Sequence, residues 1–285
     1  MKNKPLQIPE YNDYKQHCIN LAKKGKYKEI LQYLKEKDFT IIKFVKNDKY
    51  IESNCNNNVY LNCVNNFNDK FDCCFKIPGI FYDFFNIKNS YQINDTIEHS
   101  LQEIKEKYFA SCFSESSNLE NLKMWYLYNN YHGVCLEYSI KKLACVLLCE
   151  NIIINTINAY NLNHKSYIYL APIEYCFTPG VTTLEDLDKS FYSIIYKKYP
   201  YWQNELEWRI FTYNEKSANG FLLYCIPNNI YFGPLFDLEK LKKIINKIPN
   251  GINLYKFDFN YFDMKLEKKL IRKTNSKLKI NKNKV

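Results

Sequence analysis

The stretch ASCFSESSNLENLKMWYLYNNYHGVCLEY, residues 110–138, decides how the chain folds. It begins inside an apolar run, Tyr108–Phe113, that predicts a strand. Ser117 and Glu120 then stand at the S-x-x-E spacing of a capping box, in which the hydroxyl satisfies a free helix amide and the carboxylate reaches back. The spacing therefore predicts a helix through Asn130, with Leu119, Leu122 and Tyr126 on its inner face and Trp125 beside them. Gly133 stands where a helix ends in a left-handed residue, and Val134–Tyr138 returns as a strand.

Working outward, residues 11–36 read as two short helices broken near Gly25. Strands are predicted at Phe39–Val45, Tyr50–Asn54 and Val59–Val64, and a helix at 90–107. Ile140, Leu143, Ala144, Leu147 and Leu148 keep the i, i+3, i+4, i+7, i+8 spacing of an amphipathic helix over 140–149, capped by Ser139. A strand at Ile168–Phe177 precedes a helix that starts at the Thr182/Glu185 capping box and stops at Pro200. Trp202–Tyr213, 221–226, 230–232 and Ile252–Phe259 read as strands, with a helix from Asp237 to about Lys247. Helices and strands mix without strict βαβ alternation, which points to an α+β fold: a mixed, mainly antiparallel sheet core flanked by helices. The expected division is a helical N-terminal appendage (1–38), an α+β core domain (39–264) and a basic C-terminal tail (265–285).

Composition narrows the function classes. No apolar run approaches the ~18 residues of a membrane span, and Met1-Lys2-Asn3-Lys4 leads into polar sequence, so a cytoplasmic protein is expected. The 11 cysteines include no Cys-x-x-Cys, and most lie in apolar periodic segments, which predicts reduced thiols and no metal centre. The net charge of +10 is concentrated: residues 265–285 carry nine Lys/Arg and one acidic residue, which is +8, and leave +2 for the rest. Such a tail could contact nucleic acid or an anionic surface, or simply be solvated. No G-x-x-x-x-G-K-[ST] or G-x-G-x-x-G is present, so a phosphate loop or dinucleotide fold is not supported.

Candidate chemistry gathers on NELEWRIF, residues 204–211. Strand alternation predicts Leu206, Trp208 and Ile210 on a core side and Glu205, Glu207 and Arg209 on the other. That second set is either a solvated charged face or two carboxylates and a guanidinium aimed at a ligand. Lysine outnumbers arginine 38 to 2, so an arginine at this position stands out. In the opening stretch, Ser114 reads as a nucleophile or a strand-end hydrogen-bonding group. His132 reads as a ligand contact or a partner of the helix C-terminal dipole, and Trp125 as packing or base stacking.

With these residues laid out, the chain resembles a bacterial and phage family classed as a domain of unknown function. The motifs that carry the resemblance are Ile42-Lys43-Phe44, Phe67-Asn68-Asp69-Lys70-Phe71-Asp72, Ser111-Cys112-Phe113-Ser114, Met124-Trp125, His132-Gly133-Val134-Cys135 and Glu205-Leu206-Glu207-Trp208-Arg209. They span roughly 40–262 in the family's order. Lys70 replaces the family's proline, and Gly133 follows His132 directly where the family has an intervening residue. The E-x-E strand is also similar to that of ADP-ribosyltransferases. That likeness implies NAD as substrate, Glu207 as principal catalyst assisted by Glu205, and Arg209 or Lys43 at a phosphate, with Ser114, Trp125 and His132 as further ligand contacts and no certain cofactor. Together the two likenesses imply a nucleotide-ligand enzyme in a defence or toxin setting; the alternative is a non-catalytic module that binds a ligand or partner.

Overall fold

The computed structural model describes residues 8–46, 51–55, 58–67, 105–159, 167–177, 195–213 and 220–273. The expected helices at 90–107 and 182–198 fall mostly outside these residues, and so does most of the Phe67–Asp72 motif. In chain order the elements are α1 (Ile8–Lys23), α2 (Tyr27–Leu34), β1 (Thr40–Val45), α3 (Ile51–Cys55), β2 (Asn58–Cys63) and β3 (Tyr108–Glu115). They continue with α4 (Leu122–Asn129), β4 (Val134–Ser139), α5 (Ile140–Ala159), β5 (Ile168–Pro172), β6 (Glu174–Tyr175), β7 (Lys197–Lys198) and β8 (Glu207–Tyr213). The last are β9 (Phe221–Tyr224), β10 (Asn229–Phe232), α6 (Leu238–Ile245), β11 (Asn253–Asn260) and β12 (Lys265–Arg272). The class is α+β, with a mixed, mainly antiparallel sheet and flanking helices. The chain divides into two compact units, each assembled from separate stretches of sequence.

The first unit takes residues 1–37, 61–112 and 144–221. Here β5 and β8 run antiparallel, with Ala171 opposite Arg209 and Pro172 opposite Trp208, and β6 pairs with β7 in parallel. The N-terminal helices pack on β5: Ile30, Leu31 and Leu34 are fully buried, and the Tyr27 ring lies 4.5 Å from Tyr169. Gly25, at φ +67°, makes the break between α1 and α2 that a side chain would resist.

The second unit takes residues 38–60, 113–143 and 222–285. Its strands lie in the order β12-β11-β10-β4-β1, followed by the end of β3, and only β10–β11 is parallel. Ile42, Trp125, Cys135, Tyr231, Phe257 and Leu266 form the core of one face. Trp125 is fully buried, edge-on to Phe44 and Phe257, and donates from its indole N–H to the Leu119 carbonyl at 2.7 Å.

Several local expectations are corrected. Residues 51–55 are helical rather than extended. The helix of the opening stretch is capped by Asn121, whose side chain accepts from the Lys123 amide at 3.0 Å, because Ser116–Asn118 already form a 3-10 turn. Its end is left-handed at Asn130 and Tyr131, not at Gly133. Gly133 serves close approach instead, since an added Cβ would meet the Val45 carbonyl oxygen at 2.1 Å. Residues Lys265–Arg272, assigned to the tail by their charge, pair along β11 as a strand. Leu266 goes to the core, while Arg272 donates to the Ile245 carbonyl at the end of α6 and to the Ile248 and Pro249 carbonyls just beyond it.

Candidate functional site

The NELEWRIF stretch contains two local structures. Pro200–Glu205 is a 3-10 turn with proline at its start, where a missing N–H costs nothing. It closes on Leu206 at φ 49°, ψ 51°, a left-handed conformation that a branched residue holds only when its surroundings impose it. The strand begins at Glu207, where Trp208, Ile210, Phe211 and Thr212 supply the aromatic and branched residues that favour extended backbone. Glu205 is therefore off the strand, and Leu206 is half-exposed rather than core.

The charged residues do not form a solvated face. Glu205, Glu207, Lys198 and Arg209 are 6%, 3%, 8% and 0% exposed, so all four charges are buried. Lys198, on β7, bridges the two acids: its Nζ lies 2.7 Å from Glu205 Oε2 and 3.0 Å from Glu207 Oε2. Arg209 grips the other oxygen of Glu207, donating from Nε at 2.9 Å and from Nη2 at 2.6 Å, while Nη1 donates to the Ile195 carbonyl at 2.8 Å. Two carboxylates face two cations, and their formal charges cancel.

Neutral groups complete the arrangement. The Glu207 amide donates to the Tyr175 hydroxyl at 2.9 Å, and the Cys112 thiol bonds to the Glu207 carboxylate. The guanidinium lies 5.5 Å from the Phe67 ring centroid, and the ammonium 5.2 Å from that of Trp202. Burial pushes the Glu207 carboxyl up, but Arg209, Lys198 and the hydrogen bonds from Cys112 and Arg209 outweigh it and hold the group at about 2. Tyr175 moves the other way, raised by burial and by the Glu207 charge, so its hydroxyl stays protonated. The outcome is a carboxylate kept ionised in a dry place.

The structure brings Glu205, Glu207 and Arg209 together, all in the first unit. Lys43, Ser114, Trp125 and His132 belong to the second. Ser114 is buried and accepts from the Asn118 amide at 2.8 Å; Lys43 lies 5.4 Å from the Phe113 ring centroid; His132 is exposed just past the end of α4. Trp125 is a core residue.

Sequence reasoning missed Lys198, Tyr175 and Cys112. Lys198 carried no signal of its own, being one of 38 lysines at the foot of an expected helix. Among the described residues no three His, Cys, Asp or Glu side chains converge as a metal site, and no helix is long and apolar enough to cross a membrane. No protein-family model matches the chain, and neither the curated proteins nor the solved structures give a significant match.

Proposed function

We propose that the protein acts on a nucleotide-type ligand and that its reaction is ADP-ribosyl transfer from NAD, with Glu207 as the principal carboxylate. In this reading the C–N bond to nicotinamide breaks and nicotinamide leaves with the electron pair. Glu207 holds the ribose hydroxyl and stabilises the positive charge that develops at the sugar. Glu205 orients the acceptor, which closes the new bond to the same carbon and gives up its proton. The observation that supports this is the pairing of Glu207 with Arg209, at 2.9 Å and 2.6 Å, and with Lys198, at 3.0 Å, which favours the ionised carboxylate, and only the anion can stabilise an oxocarbenium-like centre. The strained Leu206 between the two acids adds to it, since such backbone persists where the surroundings over-determine it. A defence or toxin setting, and contact of the basic residues beyond β12 with nucleic acid or an anionic surface, belong to the same proposal.

A second reading, a non-catalytic ligand-binding module, is favoured by one observation: both oxygens of Glu207 are already engaged by Arg209 and Lys198. For transfer to occur, the ligand must displace one of these contacts, and Lys198, shared between two acids, is the looser. Incubation with labelled NAD separates the two. Transfer predicts release of nicotinamide by the wild type and loss of at least about a hundredfold in Glu207→Gln, in the range that electrostatic stabilisation of a developing charge contributes. Ligand-dependent thermal stabilisation without turnover would leave the binding module.

A further inference from the structure

Glu137 is a second buried carboxylate, and among the described residues no cation pairs with it. It lies on β4 between β1 and β10, opposite Ile42 and Asn229. Oε1 accepts from the Thr40 hydroxyl at 2.7 Å, and Oε2 from the Tyr231 hydroxyl at 2.7 Å and the Asn229 amide. Asn253 donates to the Asn229 side-chain carbonyl at 2.8 Å, which turns the Asn229 amide toward the acid. Every donor is neutral. They orient the carboxylate and offset part of its desolvation, but they leave its charge uncancelled.

The neighbouring groups show what kind of charge this place attracts. The Tyr231 and Tyr255 rings stack at 5.0 Å and 15°, and the Lys268 ammonium lies 5.7 Å and 5.3 Å from their centroids. Tyr231 thus offers its hydroxyl to Glu137 and its face to a cation. Lys268 is exposed, and Thr40, Asn229, Asn253 and Tyr255 are half-buried, so the group opens to solvent. A single carboxylate is too few anionic ligands for a hard metal ion, whereas an aromatic face beside it suits an organic cation.

We propose that Glu137, Thr40, Asn229 and Tyr231 form a binding site for an organic nitrogen cation, an alkylammonium or guanidinium group that replaces the Lys268 ammonium over the Tyr231–Tyr255 pair and donates to Glu137. The site shares no residue with the Glu207 cluster and does not rest on the transfer reading.

Titration calorimetry of the full chain with propylammonium, with methylguanidinium and with short peptides bearing one lysine or one arginine tests it. The wild type is expected to bind at least one probe saturably, and Glu137→Gln to weaken that binding by about tenfold or more, the factor carried by a charged hydrogen bond. Lys268→Ala removes the resident competitor and is expected to tighten binding severalfold, an effect a purely structural Glu137 would not produce. Stronger binding of the peptides points to a partner's side chain, and stronger binding of the free cations to a small molecule; both support the site. Absence of saturable binding by the wild type, equal binding by Glu137→Gln, or saturable magnesium binding that excludes the organic probes would overturn it. If Glu137→Gln does not fold, unchanged affinity in Lys268→Ala overturns it alone.

Discussion

Glu207 and Glu137 are both buried glutamates on strands, and the chain settles them in opposite ways. Glu207 is enclosed by an arginine, a lysine, a thiol and a second acid, and its charge is cancelled within the first unit. Glu137 is held by a threonine, an asparagine and a tyrosine, and among the described residues no cation pairs with it. The difference lies in where each arrangement places free energy. Closing four ions on one another costs the desolvation of every member and returns it only while all are present. Holding one anion with neutral dipoles desolvates a single ion but leaves it without an opposite charge, and so with an unmet attraction for a cation.

The sharpest way to break this contrast is Lys198→Met. It leaves two buried acids to a single arginine, and the expected loss is about 3–5 kcal/mol, read from urea or thermal unfolding. A loss under about 1 kcal/mol would place the lysine outside the ionic cluster.

The pH dependence follows from the same cluster. The Glu207 carboxyl is lowered in the folded chain, so its contribution is complete above its ordinary value of 4.5 and drains away as pH falls toward 2. Wild type should lose stability steeply across that window, and Glu207→Gln should be less stable at neutral pH with a flatter acid limb. Parallel acid limbs for the two proteins would remove Glu207 from the account.

The smallest effect belongs to Glu137→Gln, which keeps the shape and removes a carboxylate that no cation among the described residues pairs with. Its stability should change by no more than about 1 kcal/mol, because weaker hydrogen bonds are offset by the relief of burying an anion. A loss as large as that of Lys198→Met would mean that the two acids are alike after all.

The sequence made the strands β1, β3 and β4 legible, because apolar alternation and branched residues depend on neighbours two positions away. It also marked Glu205, Glu207 and Arg209 by type. Features set by distant contacts were not legible. Gly133 looked like a helix stop, yet the Val45 carbonyl on the neighbouring strand β1 decides its identity. Ser117 had the right spacing for a cap, but the 3-10 turn before α4 moved that role to Asn121. Lys265–Arg272 read as tail because charge dominates its composition, while pairing with β11 is a property of register. Lys198 needed three dimensions altogether, and so did Glu137, whose partners come from β1 and β10, up to 97 residues away in the chain.

The two arginines, Arg209 and Arg272, fall one in each unit, and both are buried against carboxylate or carbonyl oxygens. An arginine-specific protease therefore finds a single cleavage bond in each half of the folded molecule, both closed, among 38 lysines it ignores. Opening of either unit would be recorded as its own pair of fragments, so the scarcity of one residue type lets the two units be followed separately as they unfold.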